Sequence, residues 1–88
     1  MDSRKLRIPD HVVSREVGEE TVVLNMESGT YFGLNAVGAK IWKGLEAGAS
    51  LADIRQGIIE AFAAPSDVIE RDMEELIRRL LEKGLLEE

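Results

Sequence analysis

Three features of the 88-residue chain carry residue types able to do chemistry. The run Gly33-Leu34-Asn35-Ala36-Val37-Gly38-Ala39-Lys40 approximates a phosphate-cradling loop, in which backbone amides hold phosphates and a lysine reaches them. Such a loop needs Lys directly after its second glycine, then Ser or Thr for a metal ion. Here Ala39 and Lys40 stand in those places, and a one-residue shift turns a helical side chain by about 100°. The second feature is His11, the one histidine of a chain without cysteine. Neither a Ser-His-Asp triad nor a multi-histidine or thiolate metal site has its members. The third is the set of carboxylates, 17 Asp and Glu against 11 Lys and Arg. Most belong to helix faces, where neighbours such as Glu74 and Glu75 point in diverging directions, so they read as a solvated surface. The chemistry-bearing residues thus predict no catalytic site, no metal and no cofactor.

Composition narrows the class further. A chain of this length suits one domain, and it buries only about 60–65% of the surface its unfolded form exposes, which leaves little room to enclose a ligand. A net charge of -6 argues against nucleic acid, whose phosphates need clustered Lys and Arg. Apolar runs fall far short of the ~20 residues of a membrane span. Arg4, Lys5 and Arg7 precede no apolar stretch, so no signal peptide is read there, and with the lack of cysteine this predicts a cytoplasmic protein. Residues 1–9 are expected to form a flexible leading arm and 10–88 the folded domain.

Alternation organises the first third of that domain. Val12 to Val17 is β-branched enough for a strand, with Gly18-Glu19 as its turn. Thr21 to Met26 predicts a second, half-buried strand with Val22, Leu24 and Met26 sharing one face. Glu27-Ser28-Gly29 supplies a turn, and Thr30 to Leu34 returns as a third strand, giving an antiparallel meander. From Asn35 the period changes. Asn35 is placed to cap a helix carrying Val37, Ile41 and Leu45, with Gly48 ending it. Ser50 caps a second helix with the stripe Leu51, Ile54, Ile58 and Phe62. Pro65-Ser66-Asp67 opens a third, with Ile69, Met73, Leu76, Ile77, Leu80 and Leu81 inward and Gly84 as terminator. Acidic residues at its start, basic residues at its end and the pairs Glu74–Arg78 and Glu75–Arg79 all favour it.

Strands followed by helices define an α+β fold. Three helices beside a small sheet also describe a winged helix-turn-helix, which makes a DNA-binding regulator the alternative reading. The third helix would then bring Asp67, Glu70, Asp72, Glu74, Glu75 and Glu82 against phosphates, opposed by Arg71, Arg78, Arg79 and Lys83 only.

The two edges of the meander differ. The first strand carries Arg15 and Glu16 and follows Pro9, features that discourage pairing. The third, Thr30 to Leu34, has neither charge nor proline and stays competent to accept a further strand, beside the long third helix. Either a peptide adds there or the helix itself covers the edge.

The ordered set Leu24, Gly29, Tyr31, Leu34-Asn35, Gly38, Ile41-Trp42, Leu45, Gly48, Ile54, Asp72, Leu76, Leu80 and Gly84-Leu85-Leu86 resembles the PqqD family over residues 11–86. The resemblance implies a non-catalytic, winged-helix-like recognition element for the leader of a ribosomally made precursor peptide. The leader would bind between third strand and third helix and be presented to modifying enzymes. Those enzymes would be a radical S-adenosylmethionine protein, as in pyrroloquinoline quinone synthesis, or a leader peptidase and a cyclase, as in lasso peptide synthesis. On the strand side it implicates Thr30, Tyr31, Phe32, Gly33 and Leu34. On the helix it implicates Val68, Arg71, Asp72, Glu75 and Arg79, with Asp72 either contacting the leader or anchoring the helix. Asn25 stands where many relatives carry an acidic residue.

Overall fold

A computed structural model describes residues 5–88 of the chain. Among these, β1 (Val12–Val17), β2 (Glu20–Asn25) and β3 (Tyr31–Leu34) precede α1 (Ala36–Glu46), α2 (Leu51–Phe62) and α3 (Ser66–Glu82). The strands form one antiparallel sheet in the order β1-β2-β3. Val12 stands opposite Asn25, and Thr21 opposite Leu34. The predicted α+β meander followed by three helices is the observed architecture, and the helix caps are those the sequence offers. Asn35 accepts from the Gly38 amide at 2.9 Å and Ser50 from the Asp53 amide at 3.1 Å.

Two apolar clusters hold the layers together. Val12, Val23, Leu34, Trp42, Leu80, Leu85 and Leu86 join the sheet to α1 and to the end of α3. Ile41, Leu51, Ile54, Ile58, Ile69, Met73 and Ile77 join the three helices. Leu6, Leu45, Leu76 and Leu81 pack against both, so the sheet and the helical layer share a continuous interior. Each fully buried aliphatic side chain contributes roughly 1.5–3 kcal/mol of transfer free energy. At the end of α3, Gly84 takes φ 72°, a backbone region that suits glycine, and the reversal buries Leu85 and Leu86.

Four expectations are corrected. The core face of β2 carries Thr21, Val23 and Asn25, whereas Val22 and Leu24 lie half-buried on the opposite face and Met26 falls beyond the strand, 63% exposed. Val22-Val23-Leu24 is apolar on both faces, so alternation alone does not choose between them; packing of Val23 beside Trp42 and Leu80 does. Thr30 precedes β3, with its amide donating to Ser28 Oγ and its carbonyl accepting from Asn25. Phe62, at the last turn of α2, is 40% exposed. Finally, part of the expected leading arm is held against the body. Leu6 and Ile8 pack on the core, and Arg7 exchanges two backbone hydrogen bonds with Glu87, reinforced by a side-chain ion pair. Residues 1–4 of that arm lie outside the described residues.

Candidate functional site

The placement of β3 begins with a buried polar residue. Asn25 is 6% exposed; its Oδ1 accepts from the amides of Glu27 (2.9 Å) and Ser28 (3.1 Å), and its Nδ2 donates to the Gly84 carbonyl at 3.3 Å. One side chain thus shapes the β2–β3 turn and ties it to the end of α3. Gly29 completes the turn at φ 78°. At the other end of β3, Gly38 of α1 approaches so closely that a Cβ there would lie 3.3 Å from Leu34 Cβ and Cδ2. The strand is held at both ends while its outer edge has no strand partner among the described residues.

The ladder determines what that edge offers. The Asn25 amide donates to the Thr30 carbonyl, so in antiparallel alternation the hydrogen-bonded pairs are Asn25 with Thr30, Val23 with Phe32 and Thr21 with Leu34. Phe32 and Leu34 therefore turn their backbone groups toward β2. Tyr31 and Gly33 turn theirs outward and are, among the described residues, the two free rungs.

Opposite this edge runs α3, separated from it by an open cavity of about 460 Å³. Phe32, Gly33, Leu34, Val37, Gly38 and Ile41 form one side, and Asp72, Glu75, Leu76 and Arg79 the other. Leu34 and Ile41 make an apolar floor and the α3 side chains a charged rim. Glu75 accepts from Arg78 at 2.9 Å and from Arg79 at 3.1 Å, and these bonds, that from Arg78 first, hold its carboxyl below the usual carboxylate range. Asp72 has no such partner among the described residues. Beside the cavity, Lys83 Nζ stands 5.7 Å from the centre of the ring of Phe32, one of its lining residues.

Of the residues implicated by sequence, Phe32, Gly33, Leu34, Asp72, Glu75 and Arg79 meet around this cavity. Tyr31 adjoins it through its backbone rung, its side chain 71% exposed. Arg71 lines a separate hollow with Glu70, Glu74 and Arg78. Thr30 and Val68 do not line the cavity, Thr30 having both backbone groups engaged in the turn. Val37, Gly38, Ile41 and Leu76 also line it; Val37, Ile41 and Leu76 were legible as helix-stripe positions, and Gly38, Ile41 and Leu76 as part of the family pattern, none of them as a site residue. Among the described residues no cluster of His, Cys, Asp and Glu is arranged to hold a metal ion, and no helix is long and apolar enough to cross a membrane.

A winged-helix-like domain with a free strand edge facing a helix across a groove is the class of protein these features define. The family model for coenzyme PQQ synthesis protein D (PqqD) matches residues 20–86, and the chain belongs to the PqqD family. It is similar to a structure described as TbiB1 in complex with the TbiA(beta) leader peptide, with 41% identity, 92% of this chain and 94% of that one covered, and a TM-score of 0.85. It is also similar to lasso peptide synthetase B1 complexed with the leader peptide, with 27% identity, 97% and 100% covered, and a TM-score of 0.86. Among the curated proteins none matches.

Proposed function

We propose that this chain is a non-catalytic module that binds the leader of a ribosomally made precursor peptide as a fourth strand along β3. The observation that carries the reading is the pair of outward rungs at Tyr31 and Gly33, facing α3 across an open cavity. Main-chain bonds to those rungs would supply affinity, and alternate peptide side chains would enter the groove over Leu34 and Ile41. On the helix side, Asp72, Glu75 and Arg79 are the polar contacts, with Val68 and Arg71 flanking them. The similarity to two leader-bound structures supports the same reading.

The module acts by effective concentration. Holding a leader beside a modifying enzyme makes the next encounter intramolecular, without the module touching the reacting atoms. Similarity to a lasso peptide synthetase B1 supports a leader peptidase and a cyclase as the enzymes served over a radical S-adenosylmethionine protein, and the module is read as acting in the cytoplasm.

The ladder selects the test. Proline at Gly33 removes an outward amide and places a ring on the edge, whereas proline at Phe32 would break a bond to β2. With the labelled TbiA(beta) leader as probe, the wild-type chain is expected to bind saturably. Gly33→Pro is expected to weaken binding about tenfold or more, the loss of ~1.4 kcal/mol, while keeping a cooperative thermal transition. Equal affinity in the two proteins would exclude the strand-edge mode.

A further inference from the structure

An edge with two free rungs leaves a question of register. Main-chain hydrogen bonds are the same for every sequence, and a short, uncharged strand specifies neither alignment nor direction strongly. What sets both must lie in the side chains along and beside the groove, and the charges there are not equivalent: Asp72, Glu75 and Arg79 line it, with Arg78, Glu82 and Lys83 adjoining them on and just beyond α3. Glu75, Arg78, Arg79 and Glu82 neutralise one another: Glu75 meets Arg78 and Arg79, and Arg78 meets Glu82 at 2.5 Å. Asp72 and Lys83 remain, each without an ion pair among the described residues.

Asp72 lines the groove, and Lys83, not itself a lining residue, stands over the ring of Phe32, which lines it too. Phe32, under Lys83, packs in the cluster that holds Leu80 and Leu85, while Val37 packs in the one that holds Ile69 and Met73, on either side of Asp72 in α3. The groove therefore runs from an acidic end beside α1 to a basic end beside Phe32. Eleven helical residues at ~1.5 Å each give about 16 Å between them, the span of about five strand residues. A peptide laid between these ends displaces water from both charges. A desolvated charge needs an opposite one, and the wrong one is rejected.

Resting on the leader-groove reading, we propose that this groove selects its peptide by charge order: a Lys or Arg opposite Asp72 and, about five residues toward the C-terminus, an Asp or Glu opposite Lys83. The order follows from direction. An added strand antiparallel to β3, as both existing pairings are and as the better ladder geometry favours, passes the Leu34 end first and the Tyr31 end last. It meets Asp72 before Lys83. Charge thus fixes alignment and polarity where the backbone edge does not.

The test is a display selection of random 15-residue peptides on the wild-type chain, Gly33→Pro, Asp72→Lys with Lys83→Glu, and Asp72→Asn with Lys83→Met. Both charge positions are exposed, and circular dichroism is to be recorded on each variant as the check of its fold. Wild type is expected to enrich basic-then-acidic peptides at least tenfold over the reverse order. The double reversal is expected to invert the preference, and the neutral pair to abolish it. A pool that loses binding to Gly33→Pro but shows no charge order, or an order the double reversal leaves unchanged, overturns this inference and leaves the strand-edge reading standing. A pool that binds Gly33→Pro equally well, or no enriched pool at all, overturns the reading and the inference together.

Discussion

Asn25 shows how much a single residue's role depends on its surroundings. In the chain it is an unremarkable polar position at the end of an apolar strand. In the fold it is buried, with three hydrogen bonds that join the β2–β3 turn to the carbonyl of Gly84. Replacing it with Leu keeps the volume but leaves two turn amides and that carbonyl without their partner. Net loss per unsatisfied buried group is about 1–3 kcal/mol. Asn25→Leu is expected to destabilise the protein by about that amount in urea unfolding, with weaker leader binding because β3 loses its anchor. An unchanged midpoint would show that the turn holds itself. The bonds to the Glu27 and Ser28 amides are local to the turn, whereas the tie to Gly84, 59 residues on, is hidden from the sequence.

At the scale of elements the helices were the most legible part. Their stripes and caps are local properties, and both cap bonds form as the sequence predicts. The end of α2 is the exception. Ala63 adopts φ 51°, ψ 36°, the left-handed region that costs a side-chain-bearing residue roughly 1–2 kcal/mol. Ala63→Gly relieves that strain, and the greater freedom of glycine in the unfolded chain offsets part of the gain. A net stabilisation of about 0.5–1 kcal/mol is expected, raising Tm by a few degrees for a domain of this size. Calorimetry decides; a lower Tm would mean that the unfolded-state term dominates. The strands were legible in number and order, but the core face of β2 was not, because Val22-Val23-Leu24 offers an apolar side chain to either face.

Across the whole molecule, polar struts tie the sheet to α1 on the side away from the groove. Ser14 Oγ donates to Glu46 at 3.1 Å, and Lys43 Nζ lies 2.8 Å from Glu16. The hydrogen bond from Lys43, then its charge, holds the Glu16 carboxyl below its ordinary range. A carboxyl whose folded-state pKa is depressed adds stability that is present above its unfolded pKa and is lost as pH falls through the folded one. Glu75 follows the same sign through Arg78 and Arg79. Unfolding midpoints are therefore expected to fall as pH drops below the usual carboxylate range. In Lys43→Met the Glu16 carboxyl, followed by NMR, is expected to titrate higher than in the wild type. Identical titration curves would remove the strut from the account.

The sequence by itself determined the element order, the helix caps, the uncharged third strand and the family resemblance, because each rests on local chemistry or on an ordered run of residues. It also placed Phe32, Gly33, Leu34, Asp72, Glu75 and Arg79 among the candidates that now surround one cavity. Tertiary structure decided which face of β2 is inward and which rungs of β3 are free. It also decided that α3 stands off from that edge instead of covering it. Those outcomes depend on how the two apolar clusters seat α3 against α1 and the sheet, contacts between residues far apart in the chain. The pairing of Glu75 with Arg78 and Arg79 is local to the helix, and its i to i+4 member was legible in the sequence; what the packing adds is that Asp72 and Glu75 both line the groove.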